Sequence, residues 1–225
     1  MIIVNGINSE IFKKILPKFL KKNKVIGIYN SSYTGPKNKN LFLFKKNKIN
    51  FKKIDHLLKN QKKISFLNFA TKRDEKLIIN AKKNELNDVF ENNLVEPIEL
   101  LRRFIPYMIK NQFGRIIFLS SSTAENGYPG NIGYSSSKSA LTGIIGTIGK
   151  EYQNFNITCN ILSLGYFKTR MWKSLSTESR SILLGNTLLQ KLCNPNVVYE
   201  MIKIIIKYNE INLSKIYLDG GNLFR

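Results

Sequence analysis

The sequence predicts a single α/β domain with a doubly wound parallel sheet. Short apolar runs alternate with helical patterns along the 225 residues, and this alternation is typical of a parallel sheet covered by helices on both sides. Runs such as KVIGIY at 24–29 and ISFLNFA at 64–70 are largely apolar at successive positions, as expected of strands buried on both faces. A chain of this length can bury one full core, so we expect one domain.

The predicted strands are short segments rich in isoleucine, valine, leucine and phenylalanine, bounded by polar residues or glycine. In chain order they are residues 2–4, 24–29, either 41–44 or 49–51, 64–70, 114–122, 157–165 and 214–221. The two segments for the third strand remain alternatives. Because helices separate most of these strands, we expect neighbouring strands to run parallel.

Helices are predicted where apolar residues recur every three or four positions. The first carries Ile11, Ile15, Phe19 and Leu20 on one face and ends near Asn23. The others are predicted at residues 54–61, over 83–110 as one long helix or a helix pair, at 134–153, as a variable helical stretch after Thr169, and at 195–208. These helices supply the two layers that would cover the sheet.

The segment between the second and third strands lacks a helical pattern. Residues 30–40 are polar and include Gly35 and Pro36, both of which interrupt regular structure. Consecutive parallel strands are usually joined through a helix. We therefore predict that this fold is shortened in the region after the second strand.

Charge and composition narrow the possible classes of function. The net charge is +21, but the lysines are spread in pairs beside apolar residues and accompany abundant asparagine and isoleucine, as an A/T-rich coding sequence would produce. We therefore expect no specific nucleic-acid partner. No apolar run approaches the ~20 residues that cross a bilayer, and no signal peptide is visible, so we expect no membrane association and a cytoplasmic location. Cys159 and Cys193 make no disulfide framework, and we expect no metal site.

Polar residues cluster at the predicted carboxyl ends of the strands. Asn68 lies near the end of one strand, Ser121 ends another, and Tyr134 with Lys138 begins the next helix. Ligands bind outside these strand ends in doubly wound sheets. Tyr134 and Lys138 are four residues apart, so they share one face of a helix, and a cation beside a phenol favours the charged form of the phenol. The pair is therefore a candidate acid–base group.

The order and spacing of these residues resemble the short-chain dehydrogenase/reductase family, particularly 3-oxoacyl-carrier-protein reductases. The family pattern Ser…Tyr-x-x-x-Lys is matched by Ser121, Tyr134 and Lys138, and the asparagine of its central helix by Asn93. The other matches are NFAT at 68–71 for a structural Asn-Asn-Ala-Gly motif, Leu164, Gly165 and Thr169 for a Pro-Gly-x-x-x-Thr motif, and DGG at 219–221. The resemblance implies a Rossmann-like fold.

The resemblance also implies an NAD(P)-dependent oxidoreductase that interconverts a carbonyl and a secondary alcohol. Tyr134 would be the general acid or base, Lys138 would assist it and bind the nicotinamide ribose, and Ser121 would hydrogen-bond the reacting oxygen. Asn93 would hold a water that relays protons through Lys138. The implied cofactor-binding residues are Gly6, Ile7, Asn68, Ala70, Tyr134, Lys138, Gly165 and Thr169.

The first third of the chain departs from the family pattern. The family opens with Thr-Gly-x-x-x-Gly-x-Gly, whose glycines let the backbone approach a pyrophosphate at a helix N-terminus. This chain has NGINSEIF at 5–12, so only Gly6 is retained. Glu10 and Phe12 occupy the region of the later glycines, where a carboxylate would repel a phosphate and an aromatic ring would add bulk. The Gly-rich motif is therefore degenerate.

Two hypotheses of function follow from this contrast. The first is an active NAD(P)-dependent enzyme that binds the nucleotide in an unusual way. The second is a protein of the same fold that has lost cofactor affinity and serves as a binding or assembly subunit. The domain is divided accordingly into a divergent nucleotide-binding part, 1–63, and a catalytic part with the substrate lid, 64–225.

The substrate is left open among small-molecule carbonyl and alcohol compounds. The segment after Thr169 is expected to form the lid and contains Arg170, Met171 and Trp172. These residues suit either an acyl group on a carrier or a nucleotide sugar stacked on tryptophan. Both classes remain open.

An oligomer is a further implication of the resemblance. A homodimer or homotetramer would form through the helices at 83–110 and 134–153, with Phe224 and Arg225 completing an interface.

Overall fold

A computed structural model describes residues 1–222, so Phe224 and Arg225 lie outside the described residues. Within that range the strands are β1 (Ile2–Asn5), β2 (Val25–Tyr29), β3 (Leu41–Lys45), β4 (Ile64–Asn68), β5 (Gly114–Ser121), β6 (Ile157–Leu164) and β7 (Lys215–Leu218). The α-helices are α1 (Glu10–Leu20), α2 (Phe51–Leu58), α3 (Lys83–Phe90), α4 (Glu96–Lys110), α5 (Thr123–Asn126), α6 (Ile132–Glu151), α7 (Arg170–Ser174), α8 (Thr177–Gly185) and α9 (Pro195–Lys207).

The strands form one parallel sheet in the order β3-β2-β1-β4-β5-β6-β7. The chain therefore winds outward in one direction from β1 and in the other from β4, which makes the space between these strands the switch point. Asn5 at the end of β1 lies opposite Asn68 at the end of β4. The predicted Rossmann-like, doubly wound parallel sheet is confirmed.

Two hydrophobic cores cover the two faces of this sheet. Along β1, Ile3 belongs to one core, whereas Ile2 and Val4 belong to the other, because successive side chains of a strand point to opposite faces. The first core is closed by apolar side chains of α2, α4 and α6, and the second by those of α1 and α9. Burial on both faces explains the continuous apolar runs of the strands.

The chain passes from β2 to β3 through residues 30–40 without a helix, which confirms the predicted shortening. The two strands still pair in parallel, with Val25 opposite Leu41. Of the two alternatives for the third strand, 41–44 is therefore the one that forms. Residues 49–51 instead lead into α2, because the Asn50 side chain accepts a hydrogen bond from the Lys53 N–H and begins that helix.

The region 83–110 forms a helix pair rather than one regular helix. A π-helical segment, Glu91–Val95, separates α3 from α4 and places Asn93 in a fully buried position. Single π-helical turns inside helices are frequent at functional sites. Within residues 1–222, the helices are too short or too polar to span a membrane.

Candidate active site

A cavity of about 820 Å³ opens at the carboxyl ends of the strands, around the switch point between β1 and β4. Loops from both halves of the sheet reach it. Its lining includes Gly6, Ala70, Ser121, Tyr134, Lys138 and Thr169. Residues scattered over most of the chain thus border one space, as expected for a ligand site in a doubly wound sheet.

Ser121 is the last residue of β5 and points toward this cavity. Its Oγ lies within hydrogen-bond distance of the Thr123 N–H at 3.4 Å and of the Thr123 hydroxyl at 3.2 Å. Because Ser121 accepts both bonds, its own O–H remains available as a donor. The Ser121 hydroxyl can therefore donate a hydrogen bond to an oxygen atom bound in the cavity.

Tyr134 and Lys138 lie in the first two turns of α6, and both side chains are almost fully buried. Lys138 Nζ is 5.8 Å from the centre of the Tyr134 ring and donates a hydrogen bond of 2.8 Å to the Leu119 carbonyl. Burial, and to a smaller extent the charge of Arg73, lowers the pKa of Lys138 to about 7. The ammonium therefore changes its charge near neutral pH.

Asp74 fixes the start of α6 and was not singled out from the sequence. Its two carboxylate oxygens accept hydrogen bonds of 2.7 Å from the N–H groups of Gly133 and Tyr134. These N–H groups have no partner within the helix, and a carboxylate also suits the positive end of the helix dipole. This contact explains why α6 begins at Ile132, two residues before the predicted start at Tyr134. No local pattern distinguishes Asp74 from Glu75.

Asn93 is buried beneath the cavity and does not line it. Its side-chain amide bonds both backbone groups of Lys72, accepting from the N–H at 2.7 Å and donating to the carbonyl at 2.9 Å. The same amide donates to Ser137 Oγ at 2.8 Å. Asn93 thus joins the loop after β4 to α6. Its suggested relay of protons through a water stays a prediction.

Two predicted cofactor residues, Ile7 and Asn68, also lie below the cavity. Ile7 is fully buried in the second core, where its side chain occupies the space beside Gly27. Asn68 Oδ1 accepts a hydrogen bond of 2.9 Å from Asn5 Nδ2 and joins the ends of β4 and β1. Both side chains therefore support the floor of the site. Gly165 lines the cavity, and it packs so closely that an added Cβ would lie 2.6 Å from Asp219 Cα.

The remaining glycine of the degenerate motif allows a close approach of two loops. Gly6 has φ +80°, and a Cβ at this position would lie 2.3 Å from the Ala70 nitrogen. Asn8 also lines the cavity, and its buried Oδ1 has no hydrogen-bond partner within residues 1–222. A ribose hydroxyl is one group that would supply the missing donor. These features fit a bound nucleotide.

Phe12 does not crowd the cavity, contrary to the expectation from the sequence. It is fully buried in the second core, with its ring centre 5.7 Å from that of Phe19 and 4.9 Å from that of Phe69. The ring therefore fills space between α1 and the sheet. The family keeps this position small for close helix packing, and here an aromatic cluster replaces that packing.

Glu10 lies at the start of α1 and lines the cavity, as the sequence suggested. Its Oε2 accepts a hydrogen bond of 2.9 Å from the Arg170 N–H, and Oε1 is 3.5 Å from Arg170 Nε. The carboxylate is thus engaged by the beginning of α7. This interaction offsets part of the repulsion that Glu10 would exert on a phosphate.

The lid side of the cavity is mainly apolar and aromatic. Thr169 caps α7 by accepting a hydrogen bond of 3.4 Å from the Trp172 N–H. Trp172 is buried, with its ring centre 6.0 Å from that of Tyr166, and Met171 and Leu183 complete this wall. The wall suits an apolar portion of a substrate.

Comparison with known proteins identifies the family. The family model described as short chain dehydrogenase matches residues 38–180. The chain belongs to the short-chain dehydrogenase family. The degenerate Gly-rich segment, 5–12, lies before the matched residues.

Relatives of this short-chain dehydrogenase include reductases and dehydrogenases. It is 30% identical over 232 residues to the 3-oxoacyl-(acyl-carrier-protein) reductase FabG of Buchnera aphidicola subsp. Acyrthosiphon pisum (strain APS), covering 97% of this chain and 95% of the relative. It is 32% identical over 147 residues to a 7alpha-hydroxysteroid dehydrogenase of Paraclostridium sordellii, covering 63% and 55%. The predicted family and its dehydrogenase/reductase class are confirmed.

Solved structures support the fold of this short-chain dehydrogenase. ElxO with NADP bound superposes with a TM-score of 0.85 at 21% identity, covering 100% of this chain and 98% of the other. A 4-hydroxyisoleucine dehydrogenase complexed with NADH gives 0.83 at 23% identity, covering 98% and 97%.

Proposed function

We propose that this protein is an NAD(P)-dependent oxidoreductase that interconverts a carbonyl and a secondary alcohol, with Tyr134 as the general acid or base. The observation that carries this proposal is the meeting of Ser121, Tyr134 and Lys138 in one cavity at the switch point of the sheet. A nicotinamide bound there would supply or accept a hydride. The side chains would stabilise the negative charge that develops on the reacting oxygen and would transfer a proton to it.

Each side chain has a separate part in the reduction. The carbonyl oxygen gains negative charge as its carbon is reduced, and donors already in place stabilise that charge. The Ser121 hydroxyl donates a hydrogen bond to this oxygen, and Tyr134 transfers its phenolic proton to it. Protonated Lys138 stabilises the phenolate that remains. In the oxidation of an alcohol, the same groups act in reverse.

The cofactor would occupy the space between the altered loop and α6. Gly6, Asn8 and Ala70 border the side proposed for the nucleotide, and Lys138 with Thr169 borders the side proposed for the nicotinamide. The names of two structural neighbours, one with NADP and one with NADH, support this assignment. Among residues 1–222, no group of three metal-ligating side chains lies close enough to hold a metal ion.

For the substrate, we infer a 3-oxoacyl thioester rather than a nucleotide sugar. The apolar wall formed by Met171, Trp172 and Leu183 suits an acyl chain. The relative that aligns over 97% of this chain is named for the same class of compound. A homodimer or homotetramer and a cytoplasmic location remain predictions that accompany this function.

Loss of cofactor binding is the competing function, and Glu10 is the observation that favours it. A carboxylate at the start of α1 borders the region in which a phosphate would lie. The burial of Phe12 and the contact of Glu10 with Arg170 weigh against that alternative, because they leave the cavity open and engage the charge.

Turnover of a reduced nicotinamide is the experiment that tests the proposed enzyme. Purified protein is mixed with NADPH or NADH and acetoacetyl-coenzyme A, and the absorbance of the reduced cofactor is followed. We expect oxidation that requires both protein and thioester. Absence of such oxidation with this thioester and with a panel of other ketones would contradict the proposed function.

A further inference from the structure

Arg73 lies over the phenol of Tyr134, in a position that the sequence did not suggest. The central carbon of its guanidinium is 4.3 Å from the centre of the Tyr134 ring, and Nη2 donates a hydrogen bond of 3.3 Å to Tyr134 Oη. Arg73 also lines the cavity. Its side chain therefore touches the atom that would transfer the proton.

The backbone on both sides of Arg73 is held in place. Asn93 bonds the N–H and the carbonyl of Lys72, and the Asp74 carboxylate bonds the first turn of α6. Two residues further on, the Lys76 N–H donates to the Gly130 carbonyl at 2.9 Å. The backbone that carries Arg73 is therefore held in place beside the start of α6.

The guanidinium keeps donors available for an anionic oxygen. Within residues 1–222, Arg73 has no carboxylate within 4.0 Å, because Asp74 is bound to α6 and Asp88 is paired with Lys72 at 2.8 Å. Arg73 Nη1 donates a hydrogen bond of 3.1 Å to the Met171 sulfur, and a thioether is a weak acceptor. An oxygen that gains negative charge beside Tyr134 Oη would be a stronger partner.

We propose that Arg73 is a further catalytic residue, whose guanidinium donates hydrogen bonds to Tyr134 Oη and to the oxygen of the reacting carbonyl. This inference rests on the proposed function. In reduction, a hydride reaches the carbonyl carbon, the phenolic proton moves from Tyr134 to the substrate oxygen, and Arg73 keeps its own protons. The guanidinium stabilises the negative charge first on the substrate oxygen and then on the phenolate.

A permanent cation is useful beside Tyr134 because Lys138 is only partly protonated near neutral pH. Burial and the nearby guanidinium lower the pKa of Lys138 to about 7, so the ammonium is partly neutral at physiological pH. Arginine stays protonated under all conditions in which the protein would work. Arg73 therefore supplies one positive charge at Tyr134 throughout, and Lys138 adds a second only while it is protonated.

Replacement of Arg73 by methionine and by lysine tests this role. Arg73→Met keeps an apolar stem of similar length, and we expect kcat and kcat/KM for carbonyl reduction to fall by about 10²-fold, as for other lost donors to an oxyanion. Arg73→Lys is expected to recover part of this loss. The control is Arg103→Met, because Arg103 stacks on Phe51 with its central carbon 4.6 Å from the ring centre and does not line the cavity.

The pH profile separates a catalytic role from a structural one. Asp74 contacts the first turn of α6. The other charged or titratable side chains that line the cavity with Tyr134 and Lys138 are Glu10, Tyr29, Lys46, Arg73, Glu75, Tyr128 and Tyr166. In the wild type, kcat/KM for reduction is expected to fall as the pH rises above about 7, where Lys138 loses its proton. Arg73→Met removes a like charge, raises the pKa of Lys138 and moves this fall to higher pH. Arg103→Met should leave the profile unchanged.

Several results would overturn the role of Arg73. Activity of Arg73→Met within about twofold of wild type would do so, as would a loss confined to KM or accompanied by an equal loss of folded protein. An unshifted pH profile would also count against it. Wild-type protein without any turnover would instead contradict the proposed function, and the inference about Arg73 with it.

Discussion

Tyr134→Phe is expected to lower kcat for carbonyl reduction by about 10³-fold while leaving the stability of the fold nearly unchanged. General acid catalysis by a positioned side chain contributes about 10²- to 10⁴-fold, and phenylalanine has no proton to give. The ring itself is buried and would keep its packing under Arg73. Steady-state turnover, together with thermal unfolding, measures both halves of this prediction.

Tyr128 provides a matched control in the same cavity. Its side chain is 50% exposed, and Tyr128→Phe removes a hydroxyl at the same cavity without removing the proposed proton donor. We expect this variant to retain most of the wild-type kcat. Retention of more than about a tenth of the activity in Tyr134→Phe would refute the assignment of Tyr134 as the general acid.

Gly6→Ala is expected to lower the free energy of unfolding by about 3 kcal/mol and to weaken nucleotide binding. Gly6 has φ +80°, which disfavours any side chain, and the new Cβ would lie 2.3 Å from the nitrogen and 2.6 Å from the Cα of Ala70. Backbone atoms cannot rotate away from the new Cβ as a flexible side chain could. The loops after β1 and β4 must therefore move apart. Urea unfolding measures the free energy.

Gly127→Ala separates the two causes of that loss. Gly127 also has a positive φ, +73°, but a Cβ there would meet nothing within 4 Å. Its expected cost is therefore about 1 kcal/mol, from the backbone conformation alone. If Gly6→Ala cost no more than Gly127→Ala, the close approach of Gly6 to Ala70 would not constrain the site.

The sheet and the central residues of the site were predictable because their signals are local. A buried parallel strand shows as a continuous apolar run, and Tyr134 with Lys138 shows as a spacing of four within one helix. Ser121 could be placed at a strand end for the same reason. The absence of a helix after β2 could also be predicted, because residues 30–40 contain few apolar positions.

The contacts that complete the site join residues far apart in the chain, so no local sequence pattern identifies them. Arg73 and Asp74 reach Tyr134 across about 60 residues, and their neighbours Lys72 and Glu75 carry equally plausible charges. The role of Phe12 was misjudged for a related reason. Its ring packs against Phe19 of the same helix and Phe69 of the loop after β4, and the contact with Phe69 joins residues far apart in the chain.

Calorimetric titration of the wild-type protein with NADH and with NADPH tests the proposed enzyme most directly. The altered segment 5–12 must still admit a nucleotide if a hydride is to reach a substrate beside Tyr134. We expect saturable binding of at least one of the two cofactors, with a Kd below the millimolar range. The absence of saturable binding of either cofactor up to millimolar concentration would contradict the proposed oxidoreductase and favour a binding or assembly role for this fold.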